Sequence, residues 1–271
     1  MTTLQFAEVF GFGVEDSSSE ATECRKSKWC PFRDAPCTKS SKTNPLGVCS
    51  LSDGEVATAL CPVRFREKDR IFVDAARIAF GEHVRFAPVP ELKILRDRSN
   101  KRIGKIDYLL AKLDHAEEPV DFAALEVQAV YFSGGSIRTA LERYLRDGKL
   151  DESDCRRPDY RSCAQKRLMP QLSLKVPVFR RWGKRFFVAV DSLFFDALPR
   201  FNRVKPANTE ITWLVYRIAK RATSYQLAAP EICCSVWDDV LGALREGEAP
   251  EPGEIVTELR NRMSHNWILQ T

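Results

Sequence analysis

The 271-residue chain contains no apolar run close to the roughly 18–20 residues that a transmembrane helix requires. Its opening stretch, MTTLQFAEVFGFGVEDSSSE, has neither a basic region nor a long apolar core, so it does not read as a secretory signal. Internal repeats and long low-complexity tracts are absent as well. With 44% apolar and 29% charged residues, the composition is that of a globular protein rather than a disordered one. A soluble, cytoplasmic protein is expected, long enough for one large domain or one domain with a small appendage.

A further absence concerns cysteine. The chain has nine of these residues but no C-x-x-C knuckle of the common zinc-ribbon kind. An odd count without an export signal argues against a disulfide framework, because the cytosol keeps thiols reduced. The distribution is uneven: Cys24, Cys30, Cys37, Cys49 and Cys61 fall in one short stretch, whereas Cys155, Cys163, Cys233 and Cys234 are scattered. The stretch also carries Pro31, Pro36, Pro45, Gly47, Gly54 and Pro62, which predicts loops organised by something other than an apolar core. Cys30, Cys37, Cys49 and Cys61 can close around one tetrahedral ion, with Cys24 as a spare that can replace one of them. Such a site is structural, since protein fills every position, and four thiolates suit iron or zinc alike.

The net charge of +5 is modest, but its placement is not even. Residues 1–70 carry ten bases and ten acids, whereas residues 156–185 carry ten bases against the single acid Asp159. A basic segment in an otherwise balanced chain is the footprint of a polyanion-binding face, and a solvated helix face gives the same pattern. Lys166, Arg167, Lys175, Arg180, Arg181, Lys184 and Arg185 are the residues expected to track the backbone of such a polyanion.

Along the chain, residues 1–23 read as a polar arm. Apolar positions at helical spacing predict a helix over residues 66–80, stopped by Gly81. Strands are expected at 92–95, 103–113 and 122–132, then a helix opening at Ser133-Gly134-Gly135-Ser136 and stopped by Gly148. Helical sequence near 160–174, strands at 185–191 and 211–217, and a mostly helical last forty residues follow. Helix, three strands, helix, strand is the order of an α/β core with a mixed sheet. The expected division is an N-terminal arm and cysteine region over residues 1–65, then a catalytic domain over 66–271.

Within that core, Glu126 and Gln128 sit two apart on one expected strand and therefore share a face, among the apolar residues Leu125, Val127, Ala129 and Val130. Asp107 lies on the preceding strand in similar company. A buried carboxylate is costly unless it is paired or binds a cation, and antiparallel pairing would bring Asp107 alongside Glu126. Two converging carboxylates suit Mg²⁺, which can activate water and offset charge at a phosphodiester, while Gln128 would orient the water or the phosphate. Ordinary strand residues on a solvated face are the alternative. Glu91, just before the first strand, is a further candidate acid. Ser133 and Arg138, where the glycine-containing turn opens a helix, can present donors to a phosphate.

The segments WCPF, PLGVCSL and ALCPVRF, followed by RIGKIDYLL and ALEVQAVYFSGG, resemble the NotI-type restriction endonucleases of the PD-(D/E)xK nuclease superfamily. The resemblance covers about residues 24–140. It implies that Asp107 and Glu126 hold Mg²⁺, that Gln128 takes the usual lysine position, and that Glu91 stands where a further acid often lies. It also implies that Cys30, Cys37, Cys49 and Cys61 bind iron without redox chemistry, and that the protein cuts GC-rich palindromes in double-stranded DNA as a homodimer. The expectation is thus an α/β PD-(D/E)xK endonuclease, with a mixed central sheet flanked by helices and a small N-terminal four-cysteine region. A low-specificity defence or repair nuclease, a non-catalytic DNA-binding module and a redox iron protein are the other readings.

Overall fold

A computed structural model describes residues 4–131, 136–151, 158–245 and 250–263. The strands are β1 (Gln5–Val9), β2 (Phe12–Gly13), β3 (Trp29–Cys30), β4 (Ala35–Pro36), β5 (Val48–Ser52), β6 (Val56–Ala59), β7 (Phe86–Pro90) and β8 (Lys93–Arg96). They continue with β9 (Arg102–Lys105), β10 (Tyr108–Leu113), β11 (Pro119–Val127), β12 (Phe186–Asp191), β13 (Ile211–Tyr216), β14 (Ile218–Arg221), β15 (Ser224–Leu227) and β16 (Glu231–Ser235). The helices are α1 (Ser19–Ser27), α2 (Arg70–Phe80), α3 (Ser136–Asp147), α4 (Tyr160–Cys163), α5 (Met169–Trp182), α6 (Ser192–Asp196), α7 (Trp237–Arg245) and α8 (Pro252–Arg262).

The central sheet has the order β16-β13-β12-β11-β10-β7 and is mixed. Strands β11, β12 and β13 run parallel, while β7, β10 and β16 are antiparallel to their neighbours. The interior strands β12 and β13, FFVAVD and ITWLVY, are buried along their whole length, as parallel strands covered on both faces must be. Helix α2 covers one face through Ile71, Phe72, Ala75 and Ala76, packed with Leu110, Leu125, Phe187 and Leu214. Helices α3, α5 and α7 cover the other with Ile137, Leu141, Leu172, Val176, Phe179 and Val240, packed with Ala124, Val188 and Trp213. The succession α2, β7, β10, β11, helices, β12 has the expected form of helix, three strands, helix, strand, but the first strand of the sheet is β7 and not the expected 92–95, which is β8 of a separate two-stranded sheet.

A second sheet has the order β15-β14-β6-β5-β1-β2. Strands from before and after the boundary expected at residue 65 therefore share one sheet. Only Arg217 separates β13 of the central sheet from β14 of this one, so the two sheets are joined through a single covalent step. They are also pinned at Asp191, which caps α6 by accepting from the Phe194 N–H at 2.9 Å and takes Thr58 Oγ1 and the Ala59 N–H from β6 at 3.0 Å.

Three expectations need correction. The polar arm over residues 1–23 instead contains β1, where Phe6, Ala7, Glu8 and Val9 are buried, because β5 supplies a ladder partner from forty residues on. The turn-rich cysteine stretch includes β5 and β6, which are mostly buried rather than looped. The single strand expected over residues 103–113 is two, β9 and β10, interrupted at Ile106 and Asp107.

Candidate active site and cysteine cluster

Strands β10 and β11 pair with Tyr108 opposite Leu125, so Asp107, one residue before β10, falls beside the end of β11. Its Oδ2 accepts the Val127 N–H at 3.0 Å, which fixes the carboxylate against the strand that carries Glu126. Glu126 is 4% exposed and alternates onto the face covered by α5. There Lys175 Nζ, 2% exposed, lies 2.6 Å from Glu126 Oε1 and 2.7 Å from Gln171 Oε1. Burial pushes the Glu126 carboxyl up to about 8; the neighbouring Asp107 carboxylate adds to the rise and the Lys175 ammonium opposes it. The buried Glu126 and the half-buried Asp107 carboxyls meet beside the Lys175 ammonium, an arrangement that favours a cationic neighbour.

Gln128 is buried, and its side-chain amide donates to the Ala129 carbonyl at 2.6 Å rather than to either acid. Glu91 meets Asp107 only through the backbone, its N–H donating to the Asp107 carbonyl at 3.0 Å. Its exposed side chain turns to Lys105 Nζ, 2.9 Å away. Ser133 lies outside the described residues. Arg138 donates to the Asn44 carbonyl at 3.1 Å, linking α3 to the cysteine region.

The basic segment does not form one continuous face. Lys175 is buried against Glu126, and this corrects its expected place on a DNA-tracking surface. The residue belongs to the inward stripe of α5 with Leu172, Val176 and Phe179, a three-and-four spacing visible in the sequence that the count of charges overlooked. Arg180 pairs with Glu210 at 2.9 Å and Lys184 with Asp121 at 2.5 Å, while Arg185 reaches the Pro206 carbonyl. Lys166, Arg167 and Arg181 are exposed. The Arg167 guanidinium lies 3.5 Å from the centroid of the exposed Tyr131 ring, with Lys39 Nζ at 4.7 Å from the same centroid.

Cys30, Cys37, Cys49 and Cys61 are neighbours contributed by β3, the chain just after β4, β5 and the chain just after β6. The backbone N–H groups of Phe32, Arg33, Val63, Arg64 and Gly11 lie near these sulfurs, but those of Arg33 and Arg64 donate to the Cys30 and Cys61 carbonyls, and the Cys49 thiol donates to the Gly47 carbonyl at 3.6 Å. Such donors favour a thiolate over a thiol, but burial dominates and raises Cys30 to about 11. Cys24 sits apart on α1, buried. Among the described residues no three His, Cys, Asp or Glu side chains are placed as they stand to hold a metal ion.

A family model described as restriction endonuclease NotI matches residues 8–227. The chain belongs to the NotI restriction endonuclease family. It is accordingly a type II site-specific deoxyribonuclease acting on double-stranded DNA. No curated protein matches it. The matched span includes both the cysteine cluster and the Asp107–Glu126–Lys175 site, while α7 and α8 lie beyond it. No helix among the described residues is long and apolar enough to cross a membrane.

Proposed function

We propose that this NotI-family enzyme is a PD-(D/E)xK nuclease that hydrolyses DNA with Mg²⁺ held by Asp107 and Glu126. The observation that carries the reading is the pairing of a buried Glu126 with the Asp107 carboxylate, which burial alone makes unfavourable. Two carboxylates are a sufficient protein contribution for Mg²⁺, which keeps waters and takes substrate phosphate oxygens for its other positions. When bound, the ion supplies Lewis-acid stabilisation and an acidified water. Asp107, held by the Val127 N–H, and Glu126, held by Lys175, keep two oxygens aimed at one place. The Lys175 ammonium supplies beside Glu126 the positive charge that Gln128 cannot, and so offsets negative charge on the scissile phosphate. Exposed Lys166, Arg167 and Arg181 hold the DNA backbone.

Cys30, Cys37, Cys49 and Cys61 are proposed to hold a structural iron or zinc after small rotations of their side chains. Their mutual proximity supports this, since four thiolates can complete a tetrahedral site. Two copies of the chain are proposed to act on a palindromic site as a homodimer.

The deciding experiment incubates the protein with phage DNA in Mg²⁺ or EDTA, beside a Glu126→Ala variant. Discrete fragments that require Mg²⁺ and vanish in the variant are expected, with DNA binding retained. A Mg²⁺-dependent smear would keep the chemistry and replace the site-specific reading by a low-specificity nuclease. Cleavage by the variant would remove Glu126 from the mechanism.

A further inference from the structure

Immediately before Asp107 the chain leaves the central sheet as an exposed hairpin, β8–β9. It forms a two-stranded sheet of its own, continuing the β7/β10 ladder through the Ile106 N–H to Leu92 carbonyl bond of 2.9 Å. Residues 93–105 hold six bases (Lys93, Arg96, Arg98, Lys101, Arg102 and Lys105) against one acid, Asp97, and all six bases are exposed. The ladder sets Lys93 opposite Lys105 and Arg96 opposite Arg102. Glu91 pairs with Lys105 at 2.9 Å, whereas Arg96 and Arg102 face each other, and like charges directly opposite on a ribbon destabilise it unless a polyanion lies across them. Asp97 is occupied in the turn, accepting from the N–H groups of Ser99 and Lys101, and leaves the bases uncompensated at the tip. On its inner side Ile94 packs against the main core and β9 against α5, so the arm is anchored at its base and projects from the edge of the site.

We propose that this hairpin is the arm that reads DNA sequence, inserted in the major groove beside the phosphate cut at Asp107 and Glu126; the proposal rests on the nuclease reading above. A two-stranded ribbon fits the roughly 12 Å major groove and not the roughly 6 Å minor groove. Strands of four residues extend roughly 14 Å, enough to place Arg98 and Lys101 against base edges while the base of the hairpin stays at the backbone. Arginine and lysine there favour guanine, whose O6 and N7 accept in that groove.

The test uses Ca²⁺ without Mg²⁺, so that it is independent of cleavage. The full-length protein selects duplexes from a randomised pool, and binding to the selected and to a scrambled duplex is measured for Arg96→Ala/Arg102→Ala and for Arg98→Ala/Lys101→Ala. Each double variant is expected to reduce the selected-to-scrambled affinity ratio at least about 10-fold and to lose protection of guanine N7 from dimethyl sulfate. The first is also expected to melt no lower than the parent, since it removes a repulsive pair. The second changes only the turn and leaves the ladder in place. A ratio unchanged within 2-fold overturns the proposal, including the case where both affinities fall equally and the arm merely grips phosphates. A parent protein that selects no consensus overturns it too, while Mg²⁺-dependent cleavage of phage DNA would separately preserve the nuclease reading.

Discussion

At the scale of single residues, the site is governed by a carboxylate in the wrong solvent. Glu126 is nearly inaccessible, and its folded-state pKa of about 8 lies above the ordinary 4.5. The folded protein therefore keeps a proton that the unfolded chain releases between about pH 4.5 and 8, and stability falls as pH rises through that window. Glu126→Gln removes this titration, so in EDTA the variant should be more stable than the parent at pH 8, by on the order of a few kcal/mol, and nearly equal to it at pH 4.5. Adding Mg²⁺ at pH 8 should raise the melting temperature of the parent and not of the variant; calorimetry across pH with and without Mg²⁺ checks both. Lys175→Met should lower the single-turnover cleavage rate about 100-fold or more while leaving DNA binding in Ca²⁺ intact. Adding Gln128→Lys to that variant should restore part of the rate, which loss of packing alone would not allow.

At the scale of elements, helices were the most legible parts. The expected helices over 66–80 and from Ser136 appear as α2 and α3, because their apolar stripes bury against the sheet without help from sequence-distant registers. Short strands were not: β1 read as arm and the β5–β6 hairpin as loop, since β1 is paired with β5 forty residues on and the other edge of the hairpin lies against β14. The bond set of Asp191 shows how such elements are locked. Asp191→Ala strips acceptors from Thr58, Ala59 and Phe194 together and should cost on the order of 2–4 kcal/mol, measured by chemical denaturation with the slope unchanged.

At the scale of the whole molecule, the N-terminal region is structurally committed to the rest. Glu8 of β1 meets the fully buried Arg64 at 2.7 Å, and Arg64 reaches the Tyr225 carbonyl of β15 at 2.8 Å. A chain lacking residues 1–65 loses four strands of the second sheet and Arg64, and should show no cooperative thermal transition. Elemental analysis of the purified protein should find about one iron or zinc per chain, with Cys49→Ser losing both metal and melting temperature. Sedimentation should give twice the 30.8 kDa chain mass for the proposed homodimer.

The sequence by itself determined the kinds of chemistry on offer: two acids in apolar surroundings, clustered thiols, and an excess of bases. Those are local properties, set by neighbours within a few residues. It also carried the motif likeness that the family match over residues 8–227 bears out. Only the tertiary structure decided which groups meet. The β10/β11 register put Asp107 beside Glu126, and the packing of α5 turned Lys175 inward, away from the surface its charge suggested. Chain reversal at residues 97–101 set base against base on an exposed ribbon. The first two outcomes depend on contacts between separate segments, whose free energies belong to the assembled sheets and core rather than to any local stretch of chain, and the third on a register that the turn alone sets.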